Sequence, residues 1–382
     1  LKKILFIAKF LSRKKIIFGN INKVDILIFG NSPKNFKFKK AVKVKQLTNE
    51  IYFGILLLSF IKFLFFTSNK TLINLTNIYF VLLIKKLSPK IAIGHEINFT
   101  IFKFKKFFPE KTAIVYQFVH WRNIHKDHAK RILPNNVNCD YFFVFDKKSK
   151  KFLNFLKKKF IISGSVKNNE ISTSKRKKLY DIMFISEYRP EYLKNNERIR
   201  SKKLIRMINQ SNDTQVYVLK ILNKLIKKTG IKVCVALSSV RSEKRISISL
   251  NEEIDFFSKH LDKFYYENLS SYRLADKSKL CISLSSTLGP ELLAKKMKVF
   301  LLMIRKQRWL DWEFLPSIEG GYWYKGYDEN KIAKKIDYLL NLKSHEWTSE
   351  LRKKNISYEY DKNNSKLKSL VYSLLKKNAH KV

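Results

Sequence analysis

The sequence predicts an α/β chain in two halves, each built on a parallel sheet. Three observations carry this. Short, continuous apolar runs recur along the chain, as suits strands covered on both faces. Helical patterns lie between them, and one polar, aperiodic stretch divides the series. The 382 residues suffice for two domains of ordinary size.

The first half offers Ile4–Ile7, Asp25–Phe29, Ile91–Ile93, Ala113–Tyr116 and Tyr141–Phe145 as strands. Ile51–Phe66 reads IYFGILLLSFIKFLFF, interrupted by Lys62 and short of the ~20 residues of a spanning helix. A buried helix is expected there, with an interfacial helix as the alternative. Phe102–Phe108 (FKFKKFF) sets lysines beside aromatic residues in the same way. The seam runs from Asn168-Asn169-Glu170 through Ser172 to Lys178, giving expected domains 1–170 and 171–382. The second half supplies Asp181–Ile185, Lys232–Leu237, Leu280–Leu284 and Val299–Met303 as strands, with helical patterns over Val216–Lys228 and Gly289–Lys298.

Hydrophobic residues at 45% and aromatics at 14% exclude a disordered or low-complexity chain. Lys+Arg 78 against Asp+Glu 31 gives a net charge of +47 and points to anionic partners. Lysine far outnumbers arginine, whereas bidentate base readout uses arginine, so an acidic membrane surface is favoured over nucleic acid. Cys139, Cys234 and Cys281 have no metal-ligand spacing, and no HExxH or Cys/His cluster occurs. A reduced, cytoplasmic setting and a metal-free site are expected. The basic, apolar start Leu1–Ala8 is soon interrupted by Lys9 and Arg13 and lacks an Ala-x-Ala cleavage pattern. No GxGxxG or GxxxxGK[ST] is present, which argues against ordinary dehydrogenases and P-loop NTPases.

The sharpest local signal is Ser285-Ser286-Thr287-Leu288-Gly289-Pro290-Glu291, between a predicted strand and a predicted helix. At the carboxyl edge of a parallel sheet such a turn presents backbone N–H groups to a ligand. Ser286, Thr287 and Gly289 would suit a diphosphate, and Glu291 ribose hydroxyls. Spacing alone leaves an ordinary Ser/Thr-capped helix start equally open.

The segment Tyr272–Leu302 resembles the donor site of GT-B glycosyltransferases, and more closely the bacterial surface-carbohydrate biosynthesis proteins with their Ser-Thr-Leu-Gly-Tyr-Glu pattern. Other stretches agree in order: Ile93–Asn98, Val115–His120, Cys139–Phe145, Ser163–Asn169, Asp181–Ser186 and Gly320–Trp323. The resemblance spans roughly residues 90 to 347. Pro290 replaces the usual aromatic residue, a mild change in a first helical turn. Gln117-Phe118-Val119 lacks the family's Asn-Gly.

The resemblance implies two facing Rossmann-like domains, GT-B-like, with a cleft between them. It implies sugar transfer from a nucleotide-sugar co-substrate, with no further cofactor, to a glycan or lipid-linked acceptor of the cell surface. A CMP-activated donor fits relatives near nonulosonic-acid pathways, although no residue here selects the nucleotide. On this reading Glu96 is the expected base, with His120 next, and Gln117 lies on the acceptor side. His120 sits in a basic aromatic cluster with Trp121, Arg122 and His125. Arg189, in Ser186-Glu187-Tyr188-Arg189, is expected near the donor phosphates, with a surface ion pair as its bland alternative. Glu96 and His120 can equally be ordinary loop residues. Competing readings are a polyol-phosphate transferase, a nucleotide-sugar epimerase, or a non-enzymatic basic protein binding lipid or nucleic acid. The expected location is cytoplasmic, peripheral on the inner membrane face.

Overall fold

The structure is a computed structural model describing residues 15–30, 38–47, 50–66, 72–118, 133, 138–171, 177–189, 202–242, 245–246, 249–304, 315, 317–353 and 358–379. The chain forms two compact bodies. One comprises the described residues of 1–118, 127–170 and 361–382; the other comprises those of 171–360.

In the first body, β1 (Lys15–Ile17) pairs in parallel with β4 (Glu50–Tyr52). A six-stranded parallel sheet uses β2 (Ile26–Phe29), β3 (Val44–Leu47), β5 (Ile91–His95), β6 (Thr112–Tyr116), β7 (Tyr141–Val144) and β8 (Lys159–Ile162), in the order β3-β2-β5-β6-β7-β8. Helices α1 (Phe53–Phe66), α2 (Leu72–Leu87), α3 (Thr100–Phe107), α4 (Lys147–Phe152) and α5 (Val166–Asn169) follow or join these strands. β2 and the first three residues of β5 are entirely buried, which explains their unbroken apolar sequence.

In the second body the sheet order is β10-β9-β13-β14-β16-β15, parallel except for β15 against β16. Its strands are β9 (Tyr180–Ile185), β10 (Val233–Ala236), β13 (Ser278–Ser283), β14 (Val299–Leu302), β15 (Glu319–Gly320) and β16 (Trp323–Tyr324). A small pair, β11 (Val240–Ser242) and β12 (Arg245–Ile246), lies apart from it. The helices are α6 (Lys202–Thr229), α7 (Leu250–Ser258), α8 (Ser271–Asp276), α9 (Leu288–Ala294), α10 (Glu329–Asn341) and α11 (Ser344–Lys353). Two Rossmann-like sheets thus match the expected α/β class.

Aspartates entering strands fix their neighbours. Asp25 Oδ2 accepts the Lys43 N–H at 3.0 Å, Asp140 Oδ2 that of Ala113 at 2.7 Å, and Asp181 Oδ2 that of Lys232 at 2.8 Å. Each satisfies a donor at the mouth of an adjacent strand.

Among the described residues, Glu170 belongs to the first body and Ile171 to the second, while residues 361–379 group with the first body. There α12 (Ser365–Ala379) packs Leu367 and Val371 into a core with Ile26, Ile28, Ile91 and Ile114. The polar seam is partly a core element. Asn168 and Asn169 are fully buried, and Asn169 Nδ2 donates to Ser163 O at 2.8 Å and to Asn364 Oδ1 at 2.9 Å. Asp361 N donates to Asn169 Oδ1, and Asn364 Nδ2 donates to Val166 O and Glu170 Oε1. This network fastens the returning helix, so residues 168–170 are not linker.

Other expectations change too. Phe102–Phe108 is split between inside and outside: Phe102, Phe104 and Phe108 are buried with Ile101, whereas Phe107, Lys103 and Lys106 are exposed and Lys105 bridges to Asp140. Ile51–Phe66 is not a buried helix; Ile51 and Tyr52 belong to β4, and α1 exposes one apolar side. Helix α6 begins well before Val216 because its inward positions include the polar Ser211 and Gln215 beside Ile208, Val218 and Leu222. Helix α9 stops at Ala294, and Lys296 takes a left-handed φ of 61°. Ile4–Ile7 lies outside the described residues.

Candidate functional site

In the second body, β10, β9 and β13 are neighbours and parallel, so the segments leaving their carboxyl ends lie side by side. Such sheet edges are where α/β folds bind ligands. Two buried carboxylates organise these segments. Glu253 of α7 accepts the Ser186 hydroxyl, the Ser238 N–H and Ser239 N–H at 2.8 Å each, and the Ser239 hydroxyl at 2.5 Å. Glu187 takes the Ser285 N–H on Oε1 at 2.5 Å and the Ser285 hydroxyl on Oε2 at 2.6 Å. Gln215 in turn accepts the Glu187 N–H at 2.8 Å. Charge-assisted bonds of this kind are stronger than neutral ones and hold the backbone in place.

The predicted donor residues occupy this edge. Arg189 is exposed, and its backbone is held from both sides by Asn212 of α6 at 3.2 Å. Ser286 Oγ accepts the Leu288 N–H at 3.3 Å, and Ser286 O accepts the Gly289 N–H at 3.0 Å. Thr287 precedes α9 without a side-chain capping bond. Gly289 serves packing: a Cβ there would lie 2.8 Å from Ser283 Cβ and 2.9 Å from Leu301 Cδ2. That close helix–strand approach is what glycine permits. Glu291 is buried and accepts the Tyr272 hydroxyl at 2.5 Å. Burial and this neighbouring carboxylate push the Tyr272 phenol well above its ordinary range. Lys295 donates to Ile171 O at 2.6 Å and sits over the Tyr272 and Tyr360 rings. Burial lowers its ammonium to about 8.

In the first body, Glu96 and Gln117 leave the neighbouring strands β5 and β6. Glu96 is fully buried, and its Oε2 accepts the Phe118 N–H at 2.7 Å. Gln117 Oε1 accepts the Phe145 N–H at 3.0 Å. Each side chain therefore staples the exit of the next strand. His95 packs on the Phe118 ring at 5.0 Å, and burial lowers its pKa. Gly30, at φ 82°, faces Asn98 Nδ2 and His95 Nε2. Predicted site residue His120 lies outside the described residues, as do Trp121, Arg122 and His125.

Sequence reading missed Glu187 and Glu253 as organisers and passed over His95. Glu187 had one usable signal, its place directly after an apolar strand. All three cysteines are buried and free, with thiols pushed up to about 12 by burial. Among the described residues, no group of three or more His, Cys, Asp or Glu is arranged to hold a metal ion.

Residues 121–378 match the sequence profile of a family described as "putative O-antigen biosynthesis protein". No curated protein matches the chain by sequence. Solved structures share its fold. The UDP-GlcNAc 2-epimerase of Neisseria meningitidis, bound to UDP-GlcNAc, is 13% identical with a TM-score of 0.54, over 94% of this chain and 100% of that one. The UDP-GlcNAc 2-epimerase of Methanocaldococcus jannaschii is 12% identical with a TM-score of 0.52, over 92% and 100%.

Proposed function

The chain belongs to this O-antigen biosynthesis family, and from that premise we propose that it is a glycosyltransferase. It moves a sugar from a nucleotide-activated donor to a surface polysaccharide or lipopolysaccharide acceptor, glycan or lipid-linked. The donor side is the edge formed by Arg189, Ser286, Thr287, Gly289 and Glu291, with the phosphates at the Ser286–Thr287 turn and the ribose at Glu291. The acceptor side carries Glu96, Gln117 and His120. The work takes place at the cytoplasmic membrane face.

In the reaction, the acceptor oxygen attacks the anomeric carbon and the bond from that carbon to the donor phosphate breaks. The nucleotide leaves with the electron pair, and Glu96 takes the acceptor proton, a role worth about 10²–10⁴-fold in rate. Hydroxyls and Arg189 meet the charge on the departing phosphate. No metal is assigned to these steps.

The observation that carries the reading is the edge at β9, β10 and β13, with its segments fixed by Glu187 and Glu253. A thermal-shift panel of UDP, GDP, CDP and CMP compounds tests it, because a ligand bound only by the native state raises its stability. One nucleotide class should raise the midpoint, and sugar should then move only when acceptor is present. Isomerisation of a UDP-sugar without acceptor would replace this reading with the epimerase one. No response to any nucleotide would remove it.

A further inference from the structure

Helix α1 presents an apolar face left exposed in the first body. Phe53, Leu57, Leu58, Ile61, Leu64 and Phe65 are all exposed, from 41% at Leu58 to 76% at Phe65. At ~100° per residue they fall on one side of the helix. Ser59 is on the opposite side, fully buried, with its hydroxyl returned to Ile55 O at 2.5 Å. Phe18, itself 77% exposed, packs on Phe53 with ring centroids 5.0 Å apart and widens the face. Single exposed apolar side chains are ordinary, but a continuous face of this kind marks a docking surface.

The charge of the surrounding sequence, with Lys62 on the helix itself, selects the occupant. From Ile51 to His95 the sequence holds five lysines (62, 70, 85, 86 and 90) and no Asp or Glu. Lys62 is exposed on α1 itself. A second copy would bring another +47 against this lysine-rich stretch, whereas an anionic bilayer neutralises it. At 14 residues α1 is too short to span a bilayer. Among the described residues, no helix is long and apolar enough to cross a membrane. A helix with these properties lies in the interface plane.

We propose that α1 is a membrane-docking element. It lies along an anionic leaflet with Phe53, Leu57, Ile61, Leu64 and Phe65 at the acyl boundary and Lys62 at the lipid phosphates. This rests on the transferase reading only in naming the part of the chain that meets the lipid phase.

The test uses the full chain with vesicles of phosphatidylcholine and phosphatidylglycerol at 3:1, and with pure phosphatidylcholine. The wild type should sediment with the anionic vesicles and far less with the neutral ones. The surface variant Leu57→Ser/Ile61→Ser/Phe65→Ser should partition at least about tenfold less. Its far-UV spectrum and unfolding midpoint should match the wild type, showing that folding is intact. Wild-type protein that ignores anionic vesicles, or a triple variant that binds them equally well, overturns the proposal. So does sedimentation velocity showing a wild-type dimer that the variant dissociates while vesicle binding persists, because a second copy then covers the face. The nucleotide panel keeps the two readings separate: vesicle binding without any nucleotide response removes the transferase reading and leaves docking supported.

Discussion

Glu187 holds Ser285 with both carboxylate oxygens, one on the backbone N–H at 2.5 Å and the other on the hydroxyl at 2.6 Å. The two residues are 98 apart in sequence and leave adjacent strands. This makes the geometry of the Ser285–Gly289 turn depend on Glu187. Glu187→Gln should weaken binding of the nucleotide identified by the panel about tenfold, since a hydrogen bond to a charged group contributes ~1.5–3 kcal/mol. Ser285→Ala, which keeps the N–H contact, should cost less. Titration calorimetry of both variants measures this, and an unchanged affinity in Glu187→Gln would detach the turn from donor binding.

Glu96→Gln separates chemistry from scaffolding. The amide oxygen of glutamine can still accept the Phe118 N–H, so the unfolding midpoint and donor affinity should hold. Turnover should fall by about 10²-fold or more, because the amide cannot take the acceptor proton. Near-normal turnover would pass the role to His120.

Gly289→Ala should destabilise the second body by roughly 1–3 kcal/mol, because the added methyl meets Ser283 and Leu301 inside packing distance. Urea denaturation followed by intrinsic fluorescence reads the loss. A neutral result would mean that α9 can shift away from β14 without cost.

Lys295 gives a pH signature. Its folded pKa is about 8, against an ordinary 10.5, because burial disfavours the charge while Asp276 and Glu291 pull the other way. Between these two values the unfolded chain binds the extra proton, so stability rises with pH across that window. Below pH 8 the cost of the buried charge is fully present. The unfolding midpoint of the wild type should therefore gain on that of Lys295→Met from pH 8 to 10. Parallel curves for the two proteins would rule this out.

Asn364→Ala should loosen α12, since it removes acceptor and donor groups used by Asn169, Val166 and Glu170. Buried donors or acceptors left unpaired cost about 1–3 kcal/mol each. Limited proteolysis should cut the variant near residue 360 faster than the wild type. Equal cleavage rates would show that apolar packing of Leu367 and Val371 alone retains the helix.

Eight of the nine apolar runs read as strands became strands, because a strand buried on both faces leaves an unbroken apolar trace; the ninth lies outside the described residues. What the sequence hid is decided by distant partners. Asn168 and Asn169 look like linker until Asn364 and Asp361 arrive from nearly 200 residues away. The inward side of α6 is disguised by Ser211 and Gln215, whose partners cluster at Glu187. The side of α1 that faces outward is as apolar as the side that faces in, so composition alone predicted burial. Within the candidate site, the serine-rich turn and Glu291 were legible from local spacing. The carboxylates that organise the turn were not, because their roles exist only once β9, β10 and β13 are side by side.

Because α12 closes the core of the first body, synthesis order and folding order diverge for this chain. A ribosome releases Ile26, Ile28 and Ile91 early, yet their partners Leu367 and Val371 emerge only after the whole second body. All of residues 171–360 can leave the exit tunnel and fold first. Meanwhile the nascent first body carries an open sheet face, a natural client for chaperones. A premature stop just before Ser365 would therefore cripple the body whose sheet was synthesised before residue 171.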